Sequence, residues 1–109
     1  MIADTIIRAL SALAQEHRLA VFRLLVQAGP EGIAAGVLAG ALGVPPSSMS
    51  FHLAQLTNAG LITQRRQSRS LIYAADYDAM RDLMGYLTEN CCGGASCIPQ
   101  DPPQEKDAA

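Results

Sequence analysis

Residues 45–60 read PPSSMSFHLAQLTNAG and decide the fold of this chain. Proline is favoured at the first position of a helix and disfavours helix in the residue before it, so a helix is expected to begin near Pro46 or Ser47. The sequence Asn58-Ala59-Gly60 predicts where the helix ends, because glycine is common just beyond a helix. The segment is therefore predicted to be one helix over residues 47–58.

The two faces of this helix predict different surroundings. Each residue advances about 100° around the axis, so Met49, Leu53 and Leu56 fall together and are expected to face the core. The outward side carries Ser47, Phe51, Ala54, Gln55 and Asn58, with Ser50 at its margin. Short hydroxyl and amide groups can approach base edges and phosphates, and a phenylalanine can press on a thymine methyl group. A Phe51 packed on a neighbouring segment, with serines that merely start the helix, is the alternative.

Three further helices are predicted before this segment. Apolar residues recur at helical spacing in the first dozen residues and again over residues 16–27, where Leu19 is among those expected to face inward. Residues 35–42 form a short third helix closed by Gly43, a usual residue just beyond a helix end. A tight turn joins it to the next helix, so the third and fourth helices make a candidate helix-turn-helix.

The pattern after the fourth helix changes from helical to alternating. Residues 61–66 and 70–74 alternate in a way that predicts a β-hairpin with Gln67-Ser68-Arg69 at its tip. Asp76 is a good N-cap for a fifth helix that ends near Asn90. The predicted fold is therefore mainly α with a small β-hairpin, in the order α-α-α-α-β-β-α.

Arg65, Arg66 and Arg69 lie at or next to the predicted hairpin tip. They are three of the eight Lys and Arg residues in the chain. A basic hairpin that follows a helix with a polar outward face can reach the flanking phosphates or the minor groove of DNA. An ordinary solvated hairpin is the alternative, but the two features in this order favour double-stranded DNA as the partner.

Length and charge limit the class of protein. At 109 residues the chain has the size of one domain. No apolar run approaches the roughly 20 residues that cross a bilayer, so a cytoplasmic protein is expected. The net charge of −2 at first argues against a nucleic-acid partner, but residues 1–90 carry seven basic and seven acidic side chains. The acidic excess comes from the end of the chain.

The order of elements, together with LSALAQEHRL at residues 10–19, SFHL at 50–53 and AGLI at 59–62, resembles the ArsR/SmtB metalloregulatory repressors. The resemblance covers residues 5–90. It implies a winged helix-turn-helix homodimer that represses a promoter and releases it when a metal or metalloid binds. The base-reading positions of that family correspond to Ser47, Ser48, Ser50 and Phe51, with Gln55 a further candidate.

Apolar stripes on the first and fifth helices are the predicted dimer surface. Both ends of so small a chain carry more apolar surface than one modest core needs, and the family dimer uses the same two helices. A two-fold dimer also matches a near-palindromic operator. Packing within one subunit is the alternative. The residues assigned to this interface are Ile2, Ile6, Leu10, Met80, Leu83, Met84 and Leu87.

Two histidines are assigned structural roles. The angle of His52 places it beside the core stripe of the fourth helix, so a packed and hydrogen-bonded ring is expected there. His17 precedes Arg18 at the start of the second helix, where a local structural role is expected. A phosphate contact from Arg18 is the alternative.

Three cysteines, Cys91, Cys92 and Cys97, follow the fifth helix within seven positions. So local and odd a set does not fit a secreted disulfide framework, and reduced thiols are expected. A tetrahedral zinc site would need a fourth ligand, and no histidine or further cysteine follows. Three thiolates suit arsenite, As(III), as the inducer, and Sb(III) next. The cluster also resembles the C-terminal arsenic site of one family branch, whereas the third-helix Cys-x-Cys site of other branches has no counterpart in residues 38–43.

Other interpretations of the cysteines stay open. A redox switch would use a loop disulfide to Cys97, since the Cα atoms of adjacent cysteines, about 3.8 Å apart, are too close for an ordinary disulfide. Another soft metal ion is a second alternative. No arginine follows Cys97 to bind an oxyanion, so an enzyme is not expected.

The predicted elements and the cysteines divide the chain into three parts. These are a DNA-binding and dimerisation domain at 1–90, an inducer-binding segment at 91–98 and a disordered tail at 99–109.

Overall fold

A computed structural model describes residues 2–94 of the chain. Its elements are α1 (Ala3–Leu13), α2 (Glu16–Ala28), β1 (Ile33–Ala34), α3 (Ala35–Leu42), α4 (Pro46–Asn58), β2 (Ile62–Gln67), β3 (Ser70–Ala75), α5 (Tyr77–Leu87) and a 3-10 turn at Cys91–Gly94. The predicted fold class, mainly helical with a winged helix-turn-helix, is confirmed, and β1 is an addition to the predicted order. The tail predicted at 99–109 lies outside the described residues.

The turn between α3 and α4 has the glycine and the proline at the positions that the sequence predicted. Gly43 adopts a left-handed conformation, with φ of 63° and ψ of 33°. The amide of Val44 then donates to the carbonyl oxygen of Ala39 at 3.0 Å, which closes the last turn of α3. Pro46 takes the first position of α4, where its missing N–H leaves no hydrogen bond unmade. The two helices are thereby held at a short corner in which Val44 is buried.

The core lies between one face of each helix and the inner side of the sheet. Met49, Leu53 and Leu56 of α4 are fully buried, as predicted. Leu19 of α2 was predicted to face inward, but it is 46% exposed and Val21 is buried in its place. Leu19 and Val21 are two positions apart and therefore about 200° apart around the helix, so only one of them can face the core.

A two-residue strand that the sequence did not predict completes the sheet. β3 is the central strand, and β1 and β2 both pair with it antiparallel. Ile33 of β1 lies opposite Tyr73. Gly32, with φ of 77°, approaches β3 so closely that a Cβ atom would lie 2.3 Å from the carbonyl oxygen of Tyr73. Glycine is therefore required where the chain leaves α2 and joins the sheet.

The last helix begins at the predicted cap and ends earlier than predicted. The carboxylate of Asp76 accepts from the amide of Ala79 at 3.0 Å, which satisfies the first turn of α5. The helix ends at Leu87 rather than near Asn90. Asn90 and Cys92 both have φ of 57°, a conformation that cannot extend a right-handed helix. The described cysteines therefore lie in a separate turn after α5.

Candidate nucleic-acid interface

The outward face of α4 presents the side chains that were predicted to read bases. Ser47, Ser48 and Ser50 are exposed along the first half of the helix. Phe51 is 58% exposed, so it does not pack into its own subunit, and Gln55 is half-buried. The face therefore offers hydrogen-bonding groups and one apolar ring to a groove. It carries no Lys or Arg, so charged contacts to phosphates must come from other elements.

His52 lies behind that face, against the start of α2. Its ring centroid is 5.5 Å from that of His17 and 6.1 Å from that of Phe51. Packing is as predicted, but Nδ1 is buried without a hydrogen-bond partner among the described residues. Burial, and then the charges of His17 and Arg18, lower the pKa of His52 from its ordinary value of 6.5. At pH 7 a neutral imidazole therefore lies beside the ring of Phe51.

β2 and β3 form the wing. Gln67 pairs with Ser70, so the turn contains two residues, Ser68 and Arg69, one fewer than predicted. Ser68 has φ of 57°, which suits a tight hairpin turn. Arg69 therefore sits at the tip, where it is exposed.

The other two wing arginines are also exposed, but they differ in their surroundings. Arg65 and Arg66 are successive residues of β2, so their side chains leave opposite faces of the hairpin. Arg65 is hydrogen-bonded to the segment before β1. Arg66, like Arg69, has no ion pair within residues 2–94, where Arg81 and Asp78 form the single salt bridge. No ion pair among residues 2–94 offsets the charge of any of the three wing arginines, and Arg65 is the one that is also tied to the body of the domain.

The predicted dimer residues divide into buried and exposed sets. Ile6 and Leu83 are only 3% and 6% exposed and belong to the core of their own subunit. Met80 is half-buried against that core. Packing within one subunit, the alternative interpretation, therefore holds for these three. Exposed apolar side chains on α1 and α5 that the subunit leaves uncovered are Ile2, Ile7, Leu10, Met84, Tyr86 and Leu87.

Ile7 and Tyr86 were not predicted to lie on that exposed surface. The spacing of the large apolar residues alone groups Ile6 with Ile2 and Leu10. Ala9 and Ala12 share the buried face of α1 with Ile6. These two small residues, three apart, were the signal that separates the buried face from the exposed one.

The cysteine segment is only partly within the described residues. Cys91 is half-buried and Cys92 is exposed, and their Sγ atoms are 3.8 Å apart. Cys92 is disulfide-bonded, so the expectation of reduced thiols does not hold for it in this structure. Cys97 lies outside the described residues. Within residues 2–94, the structure brings together no group of three or more His, Cys, Asp or Glu side chains able to hold a metal ion. The three-sulfur site thus stays a prediction.

Comparisons with known proteins agree with this geometry. The family described as a helix-turn-helix domain matches residues 13–65. Nodulation protein NolR of Rhizobium meliloti is 30% identical over 99 residues, which are 91% of this chain and 79% of NolR. Among residues 2–94, no helix has the length and apolar character that crossing a membrane requires.

Two solved structures extend the comparison. A homodimeric winged helix-turn-helix DNA-binding domain from Mycobacterium bovis, described as a possible ArsR-family transcriptional regulator, has a TM-score of 0.65 and 24% identity over 88% of this chain and 89% of that one. A possible transcriptional regulator for arsenical resistance has a TM-score of 0.64 and 26% identity over 79% and 82%.

A polar recognition helix and a basic wing on this scaffold define a DNA-binding winged-helix transcriptional regulator. The chain belongs to the family of helix-turn-helix regulators that includes nodulation protein NolR. A second relative, HTH-type transcriptional regulator YgaV of Escherichia coli (strain K12), is 29% identical over 83 residues, which are 76% of this chain and 82% of YgaV.

Proposed function

We propose that this chain is a homodimeric repressor that leaves its operator when trivalent arsenic, or antimony, binds the thiolates of Cys91, Cys92 and Cys97. The observation that carries the DNA-binding part is the exposed serine and phenylalanine face of α4, flanked by a wing whose Arg66 and Arg69 have no carboxylate partner among the described residues. The inducer part depends on the chemistry and spacing of the sulfurs.

Two adjacent sulfurs lie close to each other. The Sγ atoms of Cys91 and Cys92 are 3.8 Å apart, so once the disulfide bond of Cys92 is reduced, small side-chain rotations would bring both sulfurs within bonding distance of one soft ion. Gly93 and Gly94 follow with positive φ, which gives the backbone freedom to turn. A third sulfur supplied by Cys97 would complete a trigonal site that suits As(III) or Sb(III).

The exposed apolar face of α1 and α5 supports a homodimer. Leu10, Met84 and Leu87 are each more than 40% exposed, and leaving them in water is unfavourable. The structurally similar domain from Mycobacterium bovis is described as homodimeric. A second copy of the chain would cover this face and set the distance between the two α4 helices, as a two-fold operator requires.

The position of the cysteines couples inducer to DNA. They follow α5 directly, so an ion that restrains this turn acts on the end of a helix in the proposed dimer surface. A shift of α5 changes the spacing of the two recognition helices and weakens DNA binding. Allosteric coupling of this kind is typically about 1–3 kcal/mol, or roughly five- to 150-fold in affinity.

The test is a titration of reduced protein on the DNA upstream of its own gene. We expect arsenite to release the DNA, and zinc and peroxide to leave it bound. The Cys91→Ser variant should bind DNA normally and lose the response, whereas Glu89→Ser, an exposed change two residues away, should keep it. Release by peroxide alone would favour the redox alternative, and a normal response of Cys91→Ser would refute the thiolate site.

A further inference from the structure

An open cleft of about 370 Å³ lies between α1, the start of α2 and the second half of α4. Its polar lining consists of Arg8, Ser11, Arg18, Gln55 and Asn58. No carboxylate lines it. Two guanidinium groups with no acidic neighbour in the lining make the cleft a site for an anion rather than for a cation or an apolar ligand.

Both guanidinium groups are held in place by backbone carbonyl groups. Arg8 donates through Nη2 to the carbonyl oxygen of Asn58 at 3.2 Å, and Arg18 donates through Nε to that of Ala12 at 2.6 Å. Each guanidinium has five N–H donors, so both keep donors for a ligand. Neither arginine forms a salt bridge with any residue between 2 and 94. The cations are therefore oriented but not neutralised.

The local field agrees with an unneutralised cationic site. Burial first, and then the charges of His17 and Arg18, lower the pKa of His52. An anion bound beside Arg18 would offset that field.

The cleft is continuous with the face that reads DNA. Gln55 and Asn58 line it and also lie along the outward side of α4, which carries no cation of its own. α4 has 13 residues and is about 20 Å long, longer than the roughly 12 Å width of the major groove, so a backbone strand must pass close to its end. We infer that the cleft binds a phosphate of that strand, with Arg8 and Arg18 as the donors. This inference rests on the proposed DNA binding and adds a phosphate site apart from the wing.

The salt dependence of DNA binding tests this site. Arg8→Gln and Arg18→Gln keep a donor for the backbone carbonyl groups but remove the charge. In the proposed dimer each substitution removes two contacts, one per subunit, so each should reduce the slope of log K against log salt by about 1.8, and its deficit relative to wild type should shrink about twelvefold between roughly 50 and 200 mM salt. The loss should be equal for operator and unrelated duplex, because phosphates carry no sequence information. Arg18→Lys keeps the positive charge, so it should keep most of the wild-type slope.

Arg23→Gln is the matched control, since Arg23 is an exposed arginine of α2 outside the cleft. Thermal melting of every variant identifies any loss of folding. Slopes for Arg8→Gln and Arg18→Gln equal to that of Arg23→Gln would overturn the inference. The inference would also be overturned if the slopes were unchanged while inorganic phosphate bound to the DNA-free protein. The anion held by the cleft would then not be a DNA phosphate. If wild type itself binds no duplex, the proposed function fails as well, which distinguishes that result from failure of the cleft alone.

Discussion

Arg65 donates through Nη2 to the carbonyl oxygen of Glu31 at 2.9 Å, although 34 positions separate the two residues. The same nitrogen lies 3.2 Å from Oε1 of Gln67. The bond to Glu31 ties the wing to the loop between α2 and β1, and the bond to Gln67 lies within β2. Arg65 therefore positions the wing in addition to carrying a charge, whereas Arg66 and Arg69 have no such tie among the described residues.

This difference predicts two kinds of effect among wing variants. Arg66→Gln and Arg69→Gln should each lower the salt slope of DNA binding by about 1.8, because each removes one phosphate contact from each subunit of the proposed dimer. Arg65→Gln should weaken binding with a smaller change of slope, because the wing loses its attachment. Fluorescence anisotropy at several salt concentrations measures both quantities. Equal slope changes for all three variants would show that Arg65 contacts phosphate as well.

Gly32→Ala should destabilise the fold. The new Cβ atom would meet the carbonyl oxygen of Tyr73 at 2.3 Å, and φ of 77° is strained for alanine, so we expect a loss of about 1–3 kcal/mol or more. Gly40→Ala is the control, because its Cβ atom would enter open space within α3, and it should gain about 0.5–1 kcal/mol. Urea unfolding measures both. If Gly32→Ala were as stable as wild type, the close approach of Gly32 to Tyr73 of β3 would be contradicted.

His52 predicts that the fold loses stability on mild acidification. Its pKa is lower in the folded chain than the ordinary 6.5, so the folded state favours the neutral ring. The stabilisation is fully present above pH 6.5 and is lost as the pH falls through the lowered pKa. Urea unfolding at about pH 7.5 and about pH 5.5 should show a smaller loss for His52→Gln than for wild type. Identical losses would assign the pH dependence to other groups.

Met84→Asp should dissociate the proposed dimer. Met84 is 58% exposed on α5, and a carboxylate there would be buried without a partner, so we expect the dimer to weaken at least about tenfold. Val37→Asp is the control, because Val37 is 62% exposed on α3, outside the proposed dimer surface. Light scattering over a dilution series gives the mass of each variant. A dimeric Met84→Asp protein would place the dimer surface elsewhere.

The sequence by itself determined the elements whose signals are local. Pro46 and Gly60 bracket α4, the spacing of Met49, Leu53 and Leu56 sets its buried face, and Asp76 caps α5. Each of these signals acts within a few residues, because proline geometry, helical periodicity and capping are properties of neighbouring backbone. The serine and phenylalanine face of α4 and the basic wing could be predicted for the same reason.

Only the tertiary structure decided which residues meet across the chain. β1 has two residues, too few for a periodic pattern, and it exists because β3 supplies its hydrogen bonds. Arg8 reaches Asn58 across 50 positions, so the cleft beside α4 has no trace in local sequence. Which elements cover the face of α1 that Ile6 shares with Ala9 and Ala12 also depended on packing between distant segments.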